Sequence, residues 1–103
     1  MASRKTEQPV PDLLTAAGNV NHPYQCVGMV LSVVAREEAG CGGGLPVGQA
    51  LRDATDDLKR QAAAKGANGV IHISYMHRIS SSQGCGTPKS NIEVYAWGTA
   101  VRL

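Results

Sequence analysis

The sequence predicts one α+β domain with the element order β-α-β-β. Three observations support this fold class: one amphipathic helical segment, three segments rich in β-branched residues, and a glycine-marked corner between the helix and the next strand. The 103 residues are enough for one domain, and a hydrophobic content of 43% is typical of a folded chain. Because Phe is absent and aromatic residues make up only 4%, the core must consist mainly of aliphatic side chains.

Residues 24–35 form the first predicted main strand. Apolar side chains alternate onto both of its faces, with Val30 on one face and Leu31 and Val33 on the other. A strand with two apolar faces is expected to be covered on both. Since one helix covers only one face, we expect the N-terminal segment or a second subunit to cover the other.

Residues 47–65 form the predicted helix, and Gly66 marks its end. Apolar residues recur at spacings of three and four along one narrow stripe, which consists of Val47, Ala50, Leu51, Ala54, Leu58 and Ala62. Gly66 suits the left-handed conformation that terminates many helices. A β-branched run begins almost at once, and it predicts the second main strand over residues 69–78. Strict alternation places Ile71, Ile73 and Tyr75 on one face of this strand, and Val70, His72, Ser74 and Met76 on the other.

The last strand is predicted over residues 91–103, after a polar hairpin loop at residues 79–90. Its small residues Ala96, Gly98 and Ala100 share one face, which suits close packing of the helix. The helical crossover makes the first two main strands parallel, and the hairpin makes the third antiparallel to the second. With the third strand between the others, the mixed sheet has the order 1-3-2 and one helix on one face.

The N-terminal region is predicted to add little to this sheet. Residues 1–11 form a flexible tail, because Pro9 and Pro11 resist regular structure, and the domain spans residues 12–103. Residues 13–15 could form a short extra strand.

Charge and hydropathy exclude several classes of function. The net charge is +2 and the basic residues are scattered, so we expect no nucleic-acid partner. No apolar run is long enough to span a membrane, and the N-terminal residues lack the apolar stretch of a signal peptide. A cytoplasmic location is therefore expected.

No set of residues indicates catalysis, so we expect a protein that is not an enzyme. Ser80, Ser81 and Ser82 lie in the polar hairpin loop without a paired base or a nucleophile-elbow motif.

A metal site is one interpretation of two cysteines and a histidine. Parallel first and second strands end at the same edge of the sheet, so Cys41 and Cys85 lie on neighbouring loops with His77 close to the same end. Two thiolates and an imidazole suit zinc or another soft divalent metal. The alternatives are a disulfide between the cysteines, or unrelated loop cysteines beside a surface histidine.

Three further side chains have a structural and a functional interpretation. Cys26 is expected to be a buried structural thiol, and His72 to be a packed or interface histidine rather than a ligand. Trp97 is expected to pack in the core or an interface; alternatively, it stacks on a planar ligand.

Four short segments stand in a distinctive order and spacing: residues 13–16, residues 27–30, the helix exit at residues 65–71 and the closing segment at residues 98–101. In these segments the sequence resembles the YbjQ-like family, which carries a heavy-metal-binding label. The resemblance implies a β-α-β-β subunit that assembles into a ring, typically a homopentamer, with no established biochemical function.

A more distant similarity is to the RcsF-type stress-sensor lipoproteins. It rests on the strand after the helix and on a Gly-Thr-Pro sequence beside Cys85. This similarity implies an envelope stress-sensor-like interaction module. A carrier of a small planar ligand that stacks on Trp97 is the other alternative function.

Overall fold

The computed structural model describes residues 9–38, 44–83 and 88–103. Within them, one helix packs on one face of a four-stranded sheet with the strand order β1-β3-β4-β2. The elements are β1 (Leu14–Thr15), β2 (Gln25–Glu37), α1 (Val47–Ala64), β3 (Gly69–Gln83) and β4 (Pro88–Arg102). Strand β4 pairs antiparallel with both β2 and β3, and β1 pairs parallel with β3.

The predicted α+β class is confirmed, and the sheet differs from the prediction in detail. The last strand lies between the other two main strands, as expected. The sheet has four strands because β1 joins the outer edge of β3. Main-chain hydrogen bonds from Ala16 to Val70, from Ile73 to Ala16 and from His72 to Gly18 extend this contact beyond the two residues of β1.

The prediction of a hairpin loop at residues 79–90 is wrong over most of this range, because β3 extends to Gln83 and β4 begins at Pro88. The β3–β4 ladder continues through the pairs Ile79 with Ile92, Ser80 with Asn91 and Ser81 with Ser90. Main-chain pairing does not require apolar side chains, so a polar segment can extend the sheet into solvent. Residues 81–83 and 88–90 therefore extend beyond the last β2–β4 pair, Glu37 with Asn91, as a two-stranded arm.

The core lies between α1 and the sheet face that it covers. Ala50, Ala54, Leu58 and Ala62 are fully buried on the helix, as the predicted stripe requires, whereas Val47 at its first turn is exposed. Their sheet partners are aliphatic and buried, and they include Val30, Val70, Ile92, Val94, Ala96 and Ala100. The small residues on both sides allow the helix to lie close to the sheet.

A bulge in β3 corrects the predicted alternation of that strand. The pairing with β4 shifts between Ile71 and Ser74, and His72 has a φ of 55°. The amides of His72 and Ile73 both donate to the β1 side, which strict alternation does not allow. Val70 and Ile73 therefore both join the helix-side core, whereas the prediction placed Ile71, Ile73 and Tyr75 on one face.

Gly98 lies opposite this bulge and leaves no room for a side chain. A Cβ atom at Gly98 would lie 2.9 Å from Val70 Cγ1 and 3.2 Å from both Ile71 O and Ile73 Cγ1. The glycine is thus required by the close approach of two core side chains from the bulged strand.

A second irregularity, in β2, corrects the prediction for Cys26. The β2–β4 register shifts between Cys26 and Gly28, and Val27 packs against the core. The shift leaves the Cys26 thiol exposed and free, rather than buried as alternation had predicted.

The helix-to-strand corner is held by main-chain and side-chain bonds. Gly66 has a φ of 85°, and the amides of Gly66 and Ala67 bond to the carbonyls of Ala63 and Ala62, which is a Schellman motif. The Arg102 guanidinium donates two 3.1 Å bonds to the Gly66 carbonyl. The corner is therefore fastened to the last strand.

Candidate functional site

The two predicted cysteine ligands, Cys41 and Cys85, lie outside the described residues. The residues that flank them are in contact: the Glu38 amide donates to Ser90 O at 2.9 Å, and the Ser90 amide donates to Glu38 Oε1 at 2.6 Å. Glu38 precedes the segment with Cys41, and Ser90 follows the segment with Cys85 in the sequence. Both segments thus leave the sheet at the same end, and the cysteine pair itself stays a prediction.

His77, the third predicted ligand, is exposed and lies opposite Val94 in the sheet. Because β3 runs on to Gln83, His77 lies six residues, or about 20 Å, before the end of the strand. Among the residues the structure describes, no group of three His, Cys, Asp or Glu side chains could hold a metal ion.

His72 also differs from its prediction as a packed residue. The β3 bulge turns its side chain out, and it is exposed. A non-glycine residue with positive φ is strained, and two hydrogen bonds between the bulge and residues 16–18 hold it in place.

The sheet surface opposite α1 is a candidate interaction surface. We define it as the open face, formed by Met29, Leu31, Val33, Met76, Tyr95 and Trp97. The register places Leu31 beside Trp97, and Val33 and Met76 on either side of Tyr95. Met29, Leu31, Val33 and Met76 are 64%, 57%, 63% and 54% exposed. Such a row of large apolar side chains is typical of a surface that contacts another molecule.

A polar cluster borders the open face, and in it the negative charge of Glu93 is paired with the positive charge of Arg78. The Glu93 carboxylate accepts hydrogen bonds at its Oε1 atom from Tyr95 OH at 2.9 Å and from Arg78 Nε at 2.7 Å. The Tyr95 hydroxyl, with the Arg78 guanidinium, holds the pKa of Glu93 below its ordinary value. The same carboxylate raises the pKa of Tyr95. These partners orient one another, so the cluster can enter an interface without an unpaired charge.

A shallow groove of about 390 Å³ lies on the other side of the sheet, between α1 and β3. Its lining consists of Leu51, Arg52, Thr55, Asp56, Lys59 and Tyr75. The Tyr75 hydroxyl lies 2.6 Å from Thr55 Oγ1, which joins the strand to the helix. The sequence did not predict this groove. Strict alternation places Tyr75 and Val70 on opposite faces of β3, and only the bulge between them brings Tyr75 to the helix side of the sheet.

No helix in the described part of the chain is long and apolar enough to cross a lipid bilayer.

The fold defines the class of molecule: a small α+β subunit with a mixed sheet, one covering helix and one uncovered apolar face.

Comparison with known proteins identifies the family. Residues 46–103 match the YbjQ_1 family model, described as "Putative heavy-metal-binding". The match covers more than half of the chain, so the protein belongs to this family, as its sequence motifs had indicated.

A crystal structure from Pediococcus pentosaceus ATCC 25745 has the same fold. That protein is of unknown function and belongs to the DUF74 family. The alignment has a TM-score of 0.71 and 16% identity, and it covers 88% of this chain and 97% of the other. At this identity the similarity shows the fold alone. A search of curated proteins gave no significant match.

The motif residues that indicate the family are explained by the fold. Gly66 forms the helix stop, and Asn68 fastens the corner to the end of β4 through bonds to Val101 and Leu103. Gly98 provides the space that the β3 bulge needs. These residues therefore identify an architecture and do not by themselves indicate a chemical activity.

Proposed function

We propose that this protein is a non-enzymatic, cytoplasmic binding scaffold that assembles through its open face into a ring of identical subunits. The homopentamer is the assembly that the family resemblance implies. The observation that supports the proposal is the row of four apolar side chains that are each more than half exposed. A sheet with one apolar face uncovered generally needs a second layer, and in a ring the neighbouring subunits supply it.

Comparing the free energy of burying these four side chains with the free-energy cost of association shows how much of the open face the assembly must bury. Full burial of a Leu, Val or Met side chain is worth about 1.5–3 kcal/mol, so four half-exposed ones contribute roughly 4 kcal/mol per subunit. Association costs an estimated 4–15 kcal/mol. The four side chains thus reach only the lower end of this cost, and a stable ring must also bury Tyr95, Trp97 and part of the arm.

The shape of the subunit agrees with this requirement. Its Cα radius of gyration is 16.3 Å, compared with about 13 Å for a compact domain of the same length. The β3–β4 arm continues the sheet beyond the end of β2, and a lone subunit leaves the outer main-chain groups of its two strands in water.

A matched pair of lysine substitutions tests the role of the open face. Val33→Lys places a charge on that face, beside Tyr95, and should convert the assembly to single subunits. Val47→Lys places the same charge on another exposed valine, at the first turn of α1, and should leave the assembly intact. If Val33→Lys sediments like the wild type, the open face is not the contact.

We further propose that the ring binds a soft divalent metal such as zinc through Cys41 and Cys85. His77 was the third predicted ligand, and because it lies about 20 Å before the end of β3, its contribution is tested separately from that of the cysteines. Support comes from the family description and from the Glu38–Ser90 contact, which joins described residues that flank the two cysteine segments. Cytoplasmic conditions keep thiols reduced, as metal binding requires.

Elemental analysis after zinc loading tests this site. The double variant Cys41→Ser/Cys85→Ser should lose the metal, and His77→Ala should show whether the imidazole contributes. Equal zinc content in the wild type and the double variant would reject the site.

A further inference from the structure

Among the described residues, strand β2 forms one edge of the sheet and pairs only with β4. In an antiparallel pair, alternate residues direct both main-chain groups away from the partner. Leu31 is one of these, since both its N–H and its C=O bond to a side chain outside the β2–β4 ladder. Val33 and Ala35 share its parity. A 13-residue edge with apolar side chains is a template for pairing with another chain.

The Gln61 side chain occupies the centre of this edge. Its Oε1 accepts a hydrogen bond from the Leu31 amide at 3.3 Å, and its Nε2 donates to the Leu31 carbonyl. Gln61 Nε2 also lies 3.1 Å from Asp57 Oδ2, which orients the amide. One side chain thus satisfies both groups that an incoming strand would use at Leu31.

A second contact occupies the same edge four residues further on. Arg36 Nη1 donates to the Ala35 carbonyl at 2.8 Å, and Arg36 Nη2 pairs with Asp53 Oδ2 at 2.7 Å. The helix positions involved, 53, 57 and 61, are four residues apart and therefore lie on one side of α1. That side of the helix runs along the β2 edge.

We propose that Asp53, Asp57 and Gln61, acting with Arg36, form an edge guard that closes β2 to strand addition. The guard occupies both outward groups of Leu31 and the carbonyl of Ala35. Between these contacts, the two outward groups of Val33 and the amide of Ala35 have no described side-chain partner. An added strand needs several consecutive outward pairs and would have to displace both contacts. Along residues 74–81 of β3, by contrast, no described side chain covers the main chain in this way.

The edge guard directs association away from main-chain polymerisation. It operates within one subunit, so it does not depend on the proposed ring. A ring that failed to form would leave this inference intact, and a missing guard would leave the open face intact.

Amide hydrogen exchange in the folded wild-type protein tests the guard without any substitution. After correction for intrinsic rates, the Leu31 amide should exchange about five- to tenfold more slowly than the Val33 amide. The Leu31 amide bonds to Gln61, whereas no described group bonds to the Val33 amide. Equal rates would overturn the proposal. If both were fast, Gln61 would not hold Leu31; if both were slow, another strand would cover the edge.

Substitution gives the second measurement. Gln61→Leu should raise the Leu31 exchange rate to that of Val33 and should produce large, β-rich aggregates that bind thioflavin T. Gln25→Leu makes the same change at an exposed position of β2 outside the guard and should behave like the wild type. Aggregation of both variants to the same extent, or of neither, would refute the guard. If Gln61→Leu fails to fold, the wild-type exchange rates decide.

Discussion

Replacing Gly98 by alanine tests the structural origin of the family motif. The new Cβ would lie 2.9 Å from Val70 Cγ1 and 3.2 Å from Ile71 O and Ile73 Cγ1. Overpacking of this kind costs about 1–3 kcal/mol, while removal of a glycine from the unfolded chain returns about 0.4–1 kcal/mol. The net loss should be about 1–2 kcal/mol. For a domain of this size that lowers Tm by roughly 5–15 °C.

Gly48→Ala provides the matched control. A Cβ at Gly48 would meet only Arg52 Nη1, at 3.7 Å, on the exposed side of the first helical turn. Because alanine is the better helix former, this variant should be as stable as the wild type or more stable, by up to about 1 kcal/mol. Thermal unfolding is followed by circular dichroism at one fixed protein concentration, since assembly makes Tm concentration-dependent. A Gly98→Ala variant with unchanged Tm would contradict the bulge and the close packing around it.

Three other substitutions probe the core, the polar cluster and the corner. Leu58→Ala should lower the free energy of unfolding by about 2–5 kcal/mol in denaturant titrations, since Leu58 is fully buried; a neutral result would remove α1 from the core. Glu93→Gln should lower the pKa of Tyr95 toward its ordinary value of 10.0 in an ultraviolet titration, because the carboxylate raises it. Folding lowers the pKa of Glu93, so the ionised carboxylate stabilises the folded state above its unfolded pKa, and this stabilisation is lost as the pH falls through the folded pKa. The free energy of unfolding of Glu93→Gln should lack this loss at acid pH. The same pH dependence of stability in both proteins would exclude the cluster. Gly66→Ala should be destabilising by about 1 kcal/mol or more in the same titrations, because φ is 85° and the Cβ would lie 2.9 Å from Arg102 Nη2; unchanged stability would contradict the left-handed corner.

Periodicity predicted the helix and the last strand well because each has one regular spacing. The helical stripe through Ala50, Ala54, Leu58 and Ala62 and the alternation from Ile92 to Ala100 are both observed. Neither element contains an irregularity, so local pattern and tertiary packing agree.

Bulges explain where alternation failed. A bulge adds one residue to one strand, so every side chain beyond it changes face relative to a strict period of two. The bulge at His72 redirected Ile73 and Tyr75 to the helix, and the shift beside Val27 left Cys26 exposed. Neither glycine nor proline lies in residues 70–73 to indicate the first of these, and the only local signal is Gly98 on the partner strand.

The candidate surfaces follow from the topology more than from motifs. Alternation predicted that one face of β2 would need a cover beyond the helix, and the open face has this property. The edge guard could not be predicted, because it depends on how the helix lies over β2: only the packed structure brings Gln61 to Leu31, thirty residues away in sequence.

The mass of the native assembly tests the central claim most directly. Size-exclusion chromatography with light scattering on the wild-type protein at micromolar concentration should give a multiple of the 10.8 kDa chain mass, fivefold for the homopentamer. A single mass equal to one chain would mean that the open face stays in water, and it would contradict the proposed scaffold.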